Sequence, residues 1–298
     1  MKAIVIHNFG GIDEMHLEEV PAPQAGPDQV VVRVRAAGVG PWDALVRRGQ
    51  TAAHALPLTL GSDIAGTVEG TGEEIFGVTN PSFTGGYAEY ALASKESIAI
   101  KPASLRFVEA ASAPVVAVTA WQMLFDRAKV ERGQRVLVQG AAGNVGAYVV
   151  ALARWAGVRV IGVADGRDAA YLRELGAEKT IDYHTARFED EVADVDAVID
   201  TVGGETQRRS FAVLRHGGAL VSSVSRPPPE LAQQYGVRGD YFIVEVNRPQ
   251  LERIAQLFDE GALKADVGVV LSLADARTAH EMLAGTVSHP RGKIVLQP

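Results

Sequence analysis

The segment Gln29-Val30-Val31-Val32-Arg33-Val34-Arg35 closes on a strict apolar–polar alternation, the pattern of a strand with one face buried. Residues 3–6, 64–69 and 86–91 are further short β-prone runs. They are separated by Gly- and Pro-rich stretches such as Pro21-Ala22-Pro23-Gln24-Ala25-Gly26-Pro27. The first third therefore reads as an all-β module, a small barrel.

From about residue 112 the period changes. Val136-Leu137-Val138 is a compact apolar run, and Val145, Val149, Leu152 and Ala156 then fall on one helical stripe that Gly157 ends. A buried strand is predicted at 158–164, a helix at 168–175 stopped by Gly176, and strands at 179–183 and 195–200. A helix near 205–214 and a strand at 218–224 follow. Strands alternating with helices at this spacing predict βαβ units and a parallel sheet covered on both faces. The last part reads as a strand at 241–246, a helix near 249–260, strands at 267–271 and 293–296, and a helix at 275–284. If the terminal strands complete the N-terminal β module, one domain is discontinuous, 1–111 with 247–298, and residues 112–246 form the other. The predicted fold class is α/β: a doubly wound parallel sheet plus a β-barrel domain.

The 298 residues include no cysteine, which removes disulfide frameworks, Fe–S clusters, thiol nucleophiles and cysteine-held zinc together. The seven histidines (7, 16, 54, 184, 216, 280, 289) contain no helical HxxxH pair, so no metal site is expected. A net charge of −7 without basic clusters argues against nucleic acid as a partner. No apolar run reaches the length of a membrane helix, and the apolar stretch at the start is too short for a signal peptide. A cytoplasmic protein is the default expectation.

Gly140-Ala141-Ala142-Gly143-Asn144-Val145-Gly146 lies between the first predicted parallel strand and its helix. Against the dinucleotide pattern G-x-G-x-x-G it aligns with Ala141 in the first glycine's place, Gly143 facing the pyrophosphate and Gly146 packing helix on strand. A helix N-terminus here would offer free N–H groups to phosphates. Asp165 follows the second strand, 19 positions beyond Gly146, and could accept from both adenosine ribose hydroxyls, which favours NAD(H). Arg167 could instead pair with a 2′-phosphate, favouring NADP(H). Both could also be solvated loop residues, with Asp168 capping the next helix. The residues leave the cofactor open.

Other chemistries lack their residues. None of the seven tyrosines has a lysine four positions later, so the Tyr-x-x-x-Lys acid of short-chain dehydrogenases is absent. There is no G-x-S-x-G elbow, no P-loop and no H-E-x-x-H. The adjacent acids Glu18-Glu19, Glu73-Glu74 and Asp190-Glu191 read as solvated surface. Without a metal to polarise a carbonyl, the suitable acceptors are those that disperse charge themselves, quinones and α,β-unsaturated carbonyls. Their remote oxygen needs only hydrogen-bond donors.

The chain resembles the medium-chain dehydrogenase/reductase superfamily, in its zinc-free quinone oxidoreductase (zeta-crystallin-like) branch. The resemblance rests on Ala36-Ala37-Gly38-Val39-Gly40-Pro41-Trp42-Asp43, Gly61-Ser62-Asp63-Ile64-Ala65-Gly66, Gly85-Gly86-Tyr87-Ala88-Glu89-Tyr90, Val118-Thr119-Ala120-Trp121, the phosphate turn, and Arg291-Gly292-Lys293-Ile294-Val295-Leu296. Gly61-Ser62-Asp63 stands where zinc-dependent relatives carry Gly-His-Glu. The resemblance implies a GroES-like β-barrel domain, a Rossmann domain, a cleft between them, NADP(H), and a homodimer. It implies that Gly143, Asn144 and Val145 meet the pyrophosphate in a cofactor-binding turn completed by Gly146, and that Asp165, Arg167 and Tyr183 surround the adenosine ribose. Val202 and Gly203 would lie near the nicotinamide ribose, with Thr119 and a strand Phe242-Ile243-Val244 bordering the nicotinamide. Tyr183 and Phe242 could equally be packed aromatics, and Thr119 a helix residue bonded to its own backbone.

Two departures bear on the substrate side. Gly40 replaces the asparagine that relatives carry before Pro-x-Asp, removing an amide, and the stretch 68–77 is shorter than usual. Trp42, Asp43 and Trp121 remain as candidates for the substrate cleft, with a helix N-cap as the alternative for Asp43 and core packing for both tryptophans. No catalytic acid is assigned. The expected function is zinc-independent, NAD(P)H-dependent reduction of quinones or enones. The alternatives are an NAD(P)H-binding sensor or structural protein with little turnover and, more remotely, a zinc alcohol dehydrogenase.

Overall fold

Strand β3 (Gln29–Val39) alternates buried Val32 and Val34 with exposed Arg33 and Arg35, and it is the strand around which the first unit is built. The structure, a computed structural model, describes residues 1–51 and 54–298. It divides into one unit of Met1–Val115 with Glu245–Pro298, and a second of Val116–Val244.

In the first unit β1 (Lys2–Ile6) pairs antiparallel with β2 (His16–Glu19) and with β4 (Leu58–Thr59). The helix α1 (Pro41–Arg47) follows β3. A larger sheet contains β3, β5 (Asp63–Val68), β6 (Glu74–Val78), β7 (Tyr90–Ser94) and β8 (Ile98–Ile100). The helix α2 (Phe107–Ala111) comes next; α3 (Pro114–Trp121) starts in this unit, passes into the second at Val116 and runs on there into a π-helical stretch, Gln122–Ala128.

The second unit holds β9 (Arg135–Gln139), α4 (Asn144–Ala156), β10 (Arg159–Ala164), α5 (Ala169–Leu175), β11 (Lys179–Asp182), α6 (Phe188–Glu191), β12 (Val195–Asp200), α7 (Gly204–Ser210), β13 (Leu214–Ser222), α8 (Pro229–Tyr235) and β14 (Arg238–Tyr241). Its six strands are all parallel, in the order β11-β10-β9-β12-β13-β14. That is the doubly wound order, which reverses between the first and fourth strands and opens a crevice at their carboxyl ends. Leu137, Val198, Phe211 and Leu220 are fully buried against this sheet. Burying a large aliphatic or aromatic side chain is worth about 1.5–3 kcal/mol, so these four do much to hold the layers together.

The chain then returns to the first unit through α9 (Arg248–Asp259), β15 (Val267–Ser272), α10 (Ala276–Leu283) and β16 (Lys293–Gln297). β16 pairs antiparallel with β3 and parallel with β15. Three expectations need correction. Of 86–91, only Tyr90 and Ala91 are in a strand, because Gly86 and Tyr87 donate instead to the carbonyls of Gly61 and Leu60. Of 241–246 only Tyr241 is in a strand, because β14 pairs with β13 only as far as Tyr241 opposite Ser222. The helix expected at 205–214 ends at Ser210, passes through one tight turn (Phe211–Val213), and gives way to β13 at Leu214. Among the described residues, no helix is long and apolar enough to cross a membrane.

Candidate functional site

The phosphate turn lies at the carboxyl end of β9. Gly140, at φ +70, takes the left-handed conformation that tightens the turn, so the glycine with that duty stands one position before Ala141. A Cβ at position 146 would come 2.2 Å from the Gly140 carbonyl oxygen, so only glycine lets α4 start this close to β9. Ala141, in the first glycine's place, is fully buried, and its methyl points at Gly162 of β10, where a second methyl would sit 3.0 Å away. No side chain caps α4: Gly143 is its N-cap, and Gly143 and Asn144 are exposed while Val145 is half-buried. The first-turn N–H groups of this 13-residue helix are thus turned outward without a side-chain acceptor.

Asp165, just past β10, is held in place. Its Oδ1 accepts the Arg167 backbone N–H (3.0 Å) and its Oδ2 accepts from the Arg167 guanidinium (2.9 Å), with His184 Nε2 at 3.4 Å. The backbone bond first, then the guanidinium, holds its carboxyl below the usual range. The carboxylate is only 20% exposed, whereas the Arg167 side chain is 82% exposed and the His184 side chain 60%. What faces solvent here is cationic and aromatic, since the exposed Tyr183 ring lies 4.3 Å from the His184 ring. Asp168 stands at the N-cap position of α5, as the alternative expected, but its side chain makes no capping bond there; Asp165 caps the short turn Gly166–Asp168.

The next loops continue the same edge. Fully buried Asp200 accepts the N–H groups of Val202 (3.0 Å) and Gly203 (2.9 Å), and Thr201 Oγ1 donates to the Gln139 carbonyl (2.7 Å). Val202, Val224 and Ile243 follow β12, β13 and β14 and are all about half exposed, as is Tyr183 after β11. Four large apolar side chains thus stand in solvent at the carboxyl edge of one parallel sheet. Phe242 is buried, with the Arg127 guanidinium 5.0 Å from its ring centre, and Val244 is half-buried, both beyond the end of β14. Thr119 is buried in α3. Sequence reasoning passed over His184, Asp200 and Val224. An aspartate followed by Thr-Val-Gly at a strand's end was a readable turn signal for the second.

The substrate-side candidates sit in different units. Trp121 packs with Phe125 (4.7 Å between ring centres) and Trp155 (6.2 Å) in the second unit. Trp42, in the first, packs on the barrel core and edge-on to Phe83 at 5.9 Å, with its indole N–H buried and without a partner. Asp43 is not the N-cap of α1 but its third residue. Its Oδ2 accepts the N–H of Gly40, the N-cap, and the Tyr87 hydroxyl, both at 2.8 Å, and its Oδ1 has no partner. Burial raises the Asp43 pKa to about 6. Asp63 accepts the Val115 N–H on Oδ1 (2.9 Å) and the Lys293 ammonium on Oδ2 (3.0 Å). A Cβ at Gly40 would point at Lys293 Nζ, 3.3 Å away, and at Asp43 Oδ2, 4.0 Å away. The missing amide would therefore have met this buried cluster. Beyond Tyr87 lies His280, edge-on at 6.1 Å, with both ring nitrogens buried and without partners; burial lowers its pKa to about 3. Among the described residues, no three His, Asp or Glu side chains gather in a way that could hold a metal ion.

Known proteins with this organisation are numerous. The family model described as alcohol dehydrogenase GroES-like domain matches residues 26–80, and the one described as zinc-binding dehydrogenase matches residues 175–296. A quinone oxidoreductase of Mus musculus is 30% identical over 98% of this chain and 96% of its own length. An NADPH-dependent alkenal/one oxidoreductase, chloroplastic, of Arabidopsis thaliana is 29% identical over 100% of this chain and 80% of its own. Among solved structures, the quinone oxidoreductase of Coxiella burnetii superposes with a TM-score of 0.91 at 33% identity, covering 100% of this chain and 99% of that one.

Proposed function

Because the chain belongs to the medium-chain dehydrogenase/reductase superfamily, in its quinone oxidoreductase branch, we propose that it is an NAD(P)H-dependent oxidoreductase that reduces quinones or α,β-unsaturated carbonyls. The observation that carries this reading is the carboxyl edge of the six-stranded sheet. There an uncapped helix N-terminus, a cationic loop and a row of exposed apolar side chains follow one another along the strand ends. A nicotinamide cofactor supplies the hydride. The protein's share is to hold and orient: Asn144, Val145 and Gly146, in the first turn of α4, receive the pyrophosphate on free N–H groups, and Gly143, whose own N–H donates to the Gly140 carbonyl (3.0 Å), leaves room for its approach. Val202 and Gly203, fixed by Asp200, flank the nicotinamide ribose, and Thr119, Phe242, Ile243 and Val244 border the nicotinamide.

NADP(H) is the favoured form. Both oxygens of Asp165 are engaged by Arg167, so the carboxylate is poorly placed to accept two ribose hydroxyls, while Arg167, His184 and Tyr183 are exposed to meet a 2′-phosphate. The reaction is taken to proceed without zinc, because the chain has no cysteine and the Asp63 oxygens are given to Val115 and Lys293. A homodimer, implied by the resemblance, belongs to the same reading and is checked by light scattering.

Acceptor-dependent oxidation of NADPH and NADH, followed across a panel of quinones and enals, tests the proposal. Turnover with conjugated acceptors is expected, and inactivity with all of them would sink it. The second reading, a nucleotide-binding protein with little turnover, draws on Gly40, which places no amide beside Asp43. It expects tight NADPH binding by fluorescence and no acceptor reduction.

A further inference from the structure

Strand β3 has two neighbours on one side and a gap between them. Val32 and Arg33 pair with both β5 and β7, and Ala37 and Gly38 pair with both β5 and β16, so β7 and β16 lie on the same side of β3. The β7 pairing ends at Arg33 opposite Tyr90, extended only by the Val34 N–H bond to the Glu89 carbonyl (3.0 Å). The β16 pairing begins at Ala37 opposite Leu296. Between them the sheet has a notch, a cavity of about 470 Å³ that Phe107 of α2 and Gln297 help to line. This volume falls within the range of about 300–1,000 Å³ typical of small-molecule sites.

Two guanidiniums belong to this notch. Arg33 and Arg35 are both exposed and two positions apart on one strand, about 6–7 Å along it. The register of β3 on β5 slips between Val34 and Ala36, which makes Arg35 the extra residue of a bulge, a device that re-aims a side chain. Among the described residues neither guanidinium has an ion-pair or hydrogen-bond partner. Arg106, Arg159, Arg209 and Arg215, by contrast, each hold a carboxylate. Glu89 and Pro298, the last residue of the chain, also line the notch, but neither pairs with these guanidiniums; Glu89 Oε2 accepts the Lys2 backbone N–H at 2.8 Å. The rings of Tyr90 and Phe107 supply flat apolar wall.

We propose that this notch binds a small organic anion, a carboxylate or phosphate carrying a flat apolar body. The anionic oxygens meet Arg33 and Arg35, where charge-assisted and bidentate hydrogen bonds are available. The apolar body lies against Tyr90 and Phe107. All these residues belong to the first unit, and the nucleotide-binding residues proposed above lie in the second, so this site does not depend on that reading.

Titration calorimetry of the full chain with phenyl phosphate, benzoate and inorganic phosphate tests it. Saturable binding of phenyl phosphate or benzoate is expected, and the tighter of the two identifies the head group. Arg33→Ala and Arg35→Ala should each weaken it at least fivefold, and the double variant, whose melting temperature should match the wild type, should abolish it. Tyr90→Ala should weaken phenyl phosphate but leave inorganic phosphate unchanged, and saturating NADPH should leave the affinity as it is. The proposal is overturned by absence of saturable binding, by wild-type affinity in the double variant, by inorganic phosphate alone binding, or by displacement with NADPH.

Discussion

The Lys293 ammonium lies 3.0 Å from the Asp63 carboxylate, and both side chains are at most 5% exposed. The partners are 230 positions apart and join β16 to β5 through the barrel interior. A buried pair of this kind adds little over an apolar substitute, but removing one partner strands the other. Lys293→Met is expected to lower unfolding stability by about 3–5 kcal/mol. Adding Asp63→Asn, which keeps an acceptor for the Val115 N–H, should restore much of the loss. Denaturant unfolding of the two single variants and the double checks this; purely additive losses would contradict the pairing.

Asp43 and His280 flank Tyr87 and respond to pH in opposite directions. The folded Asp43 pKa of about 6 exceeds the ordinary 3.8, so its contribution to stability is present below the ordinary value and lost as pH rises through about 6. The loss amounts to about 3 kcal/mol. The His280 pKa is lowered from 6.5 to about 3, so its contribution is present above the ordinary value and lost as pH falls towards the folded one. Between roughly pH 4 and 6 the two slopes oppose each other. Removing one should expose the other. His280→Phe, which keeps a ring on Tyr87, should make stability fall as pH rises through this window. Asp43→Asn should make it rise relative to wild type. Urea midpoints at several pH values report both, and unchanged profiles would refute the compensation.

The same pair marks the boundary of what sequence could reveal. The stripe Val145, Val149, Leu152, Ala156 gives α4 with its stop at Gly157, because helix periodicity and a left-handed C-terminal glycine are local properties. The apolar run after Tyr241 misled because apolarity signals burial, which Phe242 has, and not pairing, which ends where β13 runs out of partners at Ser222. The glycine turn and Asp165 mark in the sequence the edge proposed above for the nucleotide, but not that Arg167 occupies Asp165. Nor does any spacing announce that positions 43, 63, 87 and 293 share one buried cluster. Gly61 shows how tightly it is built: at φ +85, its missing Cβ would stand 2.0 Å from the Tyr87 ring.

Gly143 and Gly146 should separate binding from folding. A Cβ at 143 meets only the Gly140 carbonyl oxygen, at 3.3 Å, and the residue has an ordinary φ of −73. Gly143→Ala should therefore leave the melting temperature within a few degrees of wild type. Its methyl would stand where the pyrophosphate must approach, and NADPH affinity should fall at least tenfold. Gly146→Ala forces α4 off β9 and should lower stability and affinity together. Thermal melts alongside fluorescence titrations distinguish the two, and a Gly143→Ala protein with wild-type affinity would remove the pyrophosphate from this turn.

Cofactor choice should turn on Arg167 rather than on Asp165 alone. The guanidinium is the exposed member of the pair, and the carboxylate beneath orients it. Arg167→Ala is expected to weaken NADPH tenfold or more while leaving NADH within about threefold, because only NADPH offers a phosphate to a planar guanidinium. The same substitution frees Asp165 from its principal partner, so NADH could gain an acceptor for its ribose hydroxyls. Asp165→Ser releases the guanidinium from its anchor, and NADPH affinity should fall less than in Arg167→Ala because the charge remains. His184→Ala should act on NADPH alone, in the same direction and more weakly. Separate titrations of the two cofactors into the three variants read all of this. If Arg167→Ala weakened NADH and NADPH equally, the guanidinium would have no selective partner, and Asp165 would again be the residue to ask.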